Sequence, residues 1–146
     1  MSTKKNVLFL CTGNSCRSQM AEGWARYFLN DTVEAYSAGV APHGVDPRAV
    51  QTMADAGVDI TAQTSNHVDE YAEIAFDLVV TVCNNAAEAC PIFPGATVVH
   101  HQPFDDPPAI AREVFTPLQM SNAYARVRNE IRDFVQKQLP SLLAGN

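Results

Sequence analysis

Residues 11–18 read Cys-Thr-Gly-Asn-Ser-Cys-Arg-Ser, with a thiol at the front of a loop of small and polar residues and a guanidinium near its end. Those are the parts needed to hold a tetrahedral oxyanion and attack it. Short side chains and Gly13 let the backbone N–H groups of Thr12, Gly13, Asn14, Ser15 and Cys16 converge on one point. The helical pattern that follows contributes unpaired N–H groups and the positive end of its dipole. Arg17 supplies a planar fork that matches two oxygens of such an anion. The same field favours Cys11 as a thiolate, its nucleophilic form. Ser18 closes the loop.

Three more thiols accompany Cys11: Cys16, Cys83 and Cys90. Cys16 reads as a buried, inert thiol, because free cysteine is a common core residue and Cys11 already has a role. Four intervening residues separate the first pair and six the second, unlike the close pairs that grip structural zinc. The seven-residue step from Cys83 to Cys90 has a geometric consequence. On a continuous helix it rises about 10 Å, whereas a disulfide needs Cα atoms within roughly 7 Å. Bonding of the two therefore requires residues 83–90 to unwind, which predicts a redox-driven rearrangement of that segment.

The elements that must position these groups alternate. Strands are expected at Val7–Leu10, Val33–Ser37, Leu78–Val82 and Ala96–His100. Helices are expected at Gln19–Leu29, Pro47–Ala56, Asn66–Ala75 and, briefly, Asn84–Ala89. A last helix is expected from Leu118 until Pro140 stops it, and Gln102–Pro117 reads as a Pro-rich active loop. The pattern implies one α/β domain over residues 1–146, a parallel sheet covered by helices on both faces. Ligands of such sheets bind beyond the carboxyl ends of strands, where Cys11 and Cys83 both fall.

Composition sets the outer bounds. A chain of 146 residues buries roughly two thirds of its unfolded surface and needs no disulfide or metal staple. No apolar run approaches the ~20 residues of a membrane span, and the segment after Lys4 and Lys5 reads as a strand, so a cytoplasmic location is expected. Net charge is −6, which argues against nucleic acid and requires an anion to be bound by local design. His43, His67, His100 and His101 are scattered and read as surface or turn residues.

On four stretches the chain closely resembles the thioredoxin-coupled arsenate reductases, relatives of the low-molecular-weight tyrosine phosphatases. They are VLFLCTGNSCRSQMAEG from Val7, YSAGVAPHGVDPRAV from Tyr36, DLVVTVCNNAAEACPIFP from Asp77 and FDDP at residues 104–107. The resemblance implies a four-stranded parallel sheet with flanking helices. It implies that Cys11 is the nucleophile, that Arg17 binds substrate oxygens, that Ser18 hydrogen-bonds the thiolate and that Asn14 props the loop. Asp106, just before Pro107, matches the general acid, with Asp105 as the competing carboxylate. Cys83 and Cys90 match two shuttle cysteines. The implied reaction reduces arsenate to arsenite, with thioredoxin as reductant and phosphate or sulfate as competing oxyanions. Two thiols becoming one disulfide supply the two electrons this requires. A monomer is expected. Some members hold a monovalent cation, potassium, at positions matching Asn14, Glu22, Thr64 and Asn66, the last of which is acidic there. Residues Ala109–Leu118 depart from the family pattern.

Rival readings use the same residues differently. A tyrosine phosphatase would use Cys11, Arg17 and Asp106 but needs neither Cys83 nor Cys90, and it usually carries aromatic residues where Pro108, Ala109 and Ile110 stand here. A reductase served by glutaredoxin and a small thiol would need no internal relay. A zinc- or arsenite-binding module would use the thiols as soft ligands and would not need Asp106.

Overall fold

Every side chain of the run Val7-Leu8-Phe9-Leu10 is buried. Successive strand residues point to opposite faces, so this strand has to be covered on both sides. The computed structural model, which describes residues 4–84 and 98–144, puts it near the middle of the sheet. Strand β1 (Lys5–Leu10) pairs in parallel with β2 (Val33–Ala38) and with β3 (Leu78–Thr81). Strand β4 (Val99–His101) pairs in parallel with β3, giving the order β2-β1-β3-β4. The chain leaves β1 toward one side and later crosses to the other, so a topological switch point lies between β1 and β3. That crevice is where open α/β sheets bind ligands.

One face carries the larger core. Val7 and Phe9 meet Met20 and Trp24 of α1 (Arg17–Leu29) and Val127 and Ile131 of α4 (Pro117–Asp133), with α2 (Pro47–Asp55) alongside. The opposite face is thinner. Leu8, Leu10, Ala38 and Val79 pack on Phe76, with Tyr36, Val68, Tyr71 and Ile74 over them. Where a helix over Asn66–Ala75 is expected, only a 3-10 turn at Val68–Tyr71 forms. Val68, Tyr71 and Ile74 repeat every third residue, the period of a 3-10 helix. A capping box between His67 and Glu70 starts the turn.

Two further expectations are corrected near the C-terminus. The Pro-rich stretch after Gln102 contains a short helix, α3 (Pro107–Ala111), with Asp106 at its N-cap position and proline in its first turn. Pro140 does not stop the last helix. Helix α4 passes into a π-helical turn, Phe134–Gln138, and then into α5 (Leu139–Ala144). The Leu139 N–H bonds the Phe134 carbonyl, five residues back, and this wider turn makes room for the proline ring. The expected short helix over 84–89 and the start of the fourth strand lie outside the described residues, apart from Asn84. Among the described residues no helix is long and apolar enough to cross a membrane.

Candidate active site

The loop between β1 and α1 is held open by its carbonyls. The Thr12 carbonyl accepts from Ala41 N–H at 3.0 Å, Gly13 from His43 N–H at 3.2 Å and Ser15 from Asp46 N–H at 2.9 Å. The Asn14 carbonyl accepts from Gln19 Nε2 at 3.0 Å. In a trans peptide the following N–H points opposite to the carbonyl, so pinning four carbonyls outward turns the intervening N–H groups inward. They face a cavity of about 270 Å3 lined by residues 11–17. Asn14 sits at φ +46°, a left-handed conformation that a short polar side chain tolerates. It is locked there: its Nδ2 donates to Ser18 Oγ at 2.8 Å, and its Oδ1 accepts the Asn66 N–H at 2.7 Å. Gly39 allows the second wall to approach, because a Cβ there would fall 2.4 Å from the Thr12 carbonyl oxygen.

Of the sequence-derived residues, those from Cys11 to Arg17 and Asp106 line this cavity. Cys11 and Cys16 are buried and neither is in a disulfide. Cys16 is also the N-cap of α1, and burial pushes its thiol well above the ordinary range, with Asp46 and Asp106 adding to the effect and Arg17 opposing it. A thiol held above that range stays protonated at neutral pH. Arg17 is 4% exposed; its Nη1 donates to the Phe104 carbonyl at 3.0 Å and its Nε lies 3.7 Å from Asp106 Oδ1. Asp106 lines the cavity, whereas Asp105 is turned to Arg126 Nη2 at 3.0 Å and to Asn84 Nδ2 at 3.3 Å. The register Leu10–Thr81 sets Cys11 and Cys83 just beyond the ends of adjacent strands. Cys83 is fully buried and disulfide-bonded. Cys90, and with it the rearrangement expected over 83–90, lies outside the described residues.

The residues matching the potassium positions bond to protein partners. Glu22, 7% exposed, accepts from Ser37 Oγ at 2.6 Å and from Arg26 Nε at 2.9 Å. Asn14 Oδ1 is taken by Asn66, and Thr64 Oγ1 donates to Asn66 Oδ1 at 2.7 Å.

The model described as low molecular weight phosphotyrosine protein phosphatase matches residues 6–145. The chain belongs to this family. Among its relatives there, an arsenate reductase of Bacillus licheniformis is 45% identical over 135 residues, covering 92% of this chain and 95% of that protein. An arsenate reductase of Bacillus subtilis is 48% identical over 127 residues, covering 87% and 89%. A solved structure titled an arsenate reductase in the phosphate binding state superposes with a TM-score of 0.75 at 27% identity, covering 97% of this chain and 98% of that one. The four-stranded parallel sheet expected from the sequence is thus the phosphatase-family fold.

Several residues that hold this family member's site escaped the sequence reading. Gln19 is fully buried, and its Nε2 ties the Asn14 carbonyl to the Thr64 carbonyl at 2.9 Å. Gln63 Nε2 in turn donates to Gln19 Oε1 at 2.9 Å. Gln19 shares one stripe of α1 with Glu22, Gly23 and Arg26, so nothing in the sequence set it apart. His43, read as a surface histidine, is exposed yet lines the cavity, as does Arg112.

Proposed function

We propose that this family member is an arsenate reductase working by a three-thiol relay regenerated by thioredoxin. The observation that carries the reading is Cys11 at the floor of an oxyanion cradle with Cys83 just beyond the adjacent strand. The arsenate reductase names of its relatives support it further.

The steps balance. Cys11 thiolate forms a bond to arsenic, and Asp106 gives a proton to the departing oxygen, which leaves as water. The Cys83 thiolate then attacks Cys11 sulfur. The S–As bond breaks with its electron pair remaining on arsenic, so arsenite leaves and a Cys11–Cys83 disulfide remains. Cys90 attacks Cys83, forms Cys83–Cys90 and frees Cys11. A thioredoxin dithiol reduces that last bond. Arg17 and the inward N–H groups hold the oxyanion throughout. No step needs an alkali cation.

Mass mapping of disulfides tests this. Fully reduced protein given arsenate is expected to lose two thiols per arsenate, and phosphate is expected to consume none. Cys90→Ser should give about one turnover and trap Cys11–Cys83. Sustained thioredoxin-driven turnover by that variant, or full thiol titre after arsenate, overturns the relay. Slow hydrolysis of small aryl phosphates is a second expected activity, because Cys11, Arg17 and Asp106 are the residues a phosphatase needs.

A further inference from the structure

The inner wall of the cavity is explained by the loop and Arg17, but its mouth is not. Two side chains from different elements stand there: His43, after β2, and Arg112, at the C-terminal cap of α3. His43 lies against the loop so closely that a Cβ on Gly13 would fall 2.2 Å from its Nε2. Arg112 is four residues after Pro108, which also lines the cavity, so one face of α3 is presented to the opening. The guanidiniums of Arg17, Arg26, Arg126, Arg128 and Arg132 all donate to oxygens. Arg112 is exposed and makes no ion pair or side-chain hydrogen bond among the described residues. In a chain of net charge −6, it stands at the opening of an anion pocket.

A tetrahedral oxyanion in the cradle directs its inner oxygens at the loop N–H groups and Arg17. The remaining oxygen points out of the mouth. In an inorganic oxyanion that oxygen carries negative charge or a hydroxyl. In a monoester it is the bridging oxygen, a poorer acceptor bearing an organic group. We infer that Arg112, which lines the cavity together with His43, is a specificity-determining residue that holds the outward oxygen and favours an inorganic oxyanion over an ester. This rests on the reading of the site as one that handles inorganic arsenate. The aromatic grip that an aryl ester would use is absent after Asp106, where Pro108, Ala109 and Ile110 follow. Binding energy at the mouth is spent on charge instead.

Titration calorimetry with inorganic phosphate and with phenyl phosphate, on reduced wild type and on Arg112→Ala, Arg112→Gln and Arg112→Lys, tests this. Phosphate Kd is expected to rise about fivefold in the Ala and Gln variants and less in Lys, a loss of the size an exposed charge pair gives. Phenyl phosphate Kd should change less than about twofold, and the KM for arsenate should rise. Equal weakening of both ligands, or unchanged phosphate binding, overturns the proposal. Thermal unfolding of the three variants separates a loss of helix capping from a loss of anion contact, since only the former lowers Tm in parallel. Wild-type arsenate turnover is measured apart. If it is absent while the binding asymmetry holds, the reductase reading fails and the mouth assignment stands; if turnover is present and the asymmetry absent, the mouth assignment alone fails.

Discussion

Two neighbouring aspartates carry different burdens. Asp105 is committed to Arg126 on α4, while Asp106 lines the cavity 3.7 Å from the Arg17 guanidinium. Asp106→Asn is expected to lower arsenate turnover by about 10²-fold or more, the usual loss of a positioned acid. Asp105→Asn should stay within about twofold, because an exposed ion pair contributes little. Single-turnover thiol loss measures both, and equal defects would contradict the split. Glu22 gives a residue-level prediction in pH. Burial raises its carboxyl above the ordinary 4.5, with bonds from Ser37 and Arg26 pulling it back. The folded carboxyl therefore binds its proton more readily than the unfolded one. Its contribution to stability is fully present below about pH 4.5 and is lost as pH rises through the raised value. Glu22→Gln removes that loss. Urea unfolding from pH 4 to 7 should show the stability difference, wild type minus variant, falling across the window; a flat difference would refute it.

At the scale of elements, the loop is a product of what brackets it. Its chemistry was legible from Cys11 to Ser18 because glycine, a thiol and a guanidinium at that spacing have no packing purpose. Its braces were not legible, because Gln19, Asp46 and Tyr124 are ordinary residue types whose partners lie far away in the chain. Tyr124 of α4 donates to Asp46 Oδ2 at 2.5 Å, Asp46 Oδ1 caps α2 through the Arg48 N–H at 2.9 Å, and the Asp46 N–H holds the Ser15 carbonyl. One hydroxyl thus links α4, the start of α2 and the anion loop. Tyr124→Phe is expected to cost about 1 kcal/mol of stability, the worth of a hydrogen bond whose acceptor can still reach water. It should also weaken phosphate binding, whereas Tyr27→Phe, at an exposed position, should alter neither. Denaturant unfolding with phosphate titration reads both. Pro140 shows a different limit: a proline reads as a stop, and only the packing of Phe134, Val135 and Leu139 into the core selects the π-helical turn that carries the chain past it.

For the whole molecule, the strand and helix alternation was readable, but the unequal cover of the sheet was not. The strands at Val7, Val33 and Leu78 declared themselves by apolar runs, and the 3-10 turn at Val68–Tyr71 was concealed because helix and 3-10 patterns share an i, i+3 spacing. The consequence is a division of labour between the faces. The thick face, centred on Val127, Ile131 and Phe134, holds the fold. The thin face rests on the ring cluster of Tyr36, Tyr71 and Phe76, and its leading residues hold the anion loop, since the Asn66 N–H grips Asn14. Ile131→Ala should therefore cost about 3 kcal/mol of global stability, in the range of buried large-to-small changes, with phosphate affinity preserved. Tyr71→Ala should cost less globally, about 1–2 kcal/mol for a half-buried ring. It should still weaken phosphate binding and speed hydrogen exchange at Asn66 and Val68. The two variants invert the order of damage to fold and to site. If both quantities fall together in each, the faces are one cooperative unit, and the loop draws its rigidity from the thick core instead.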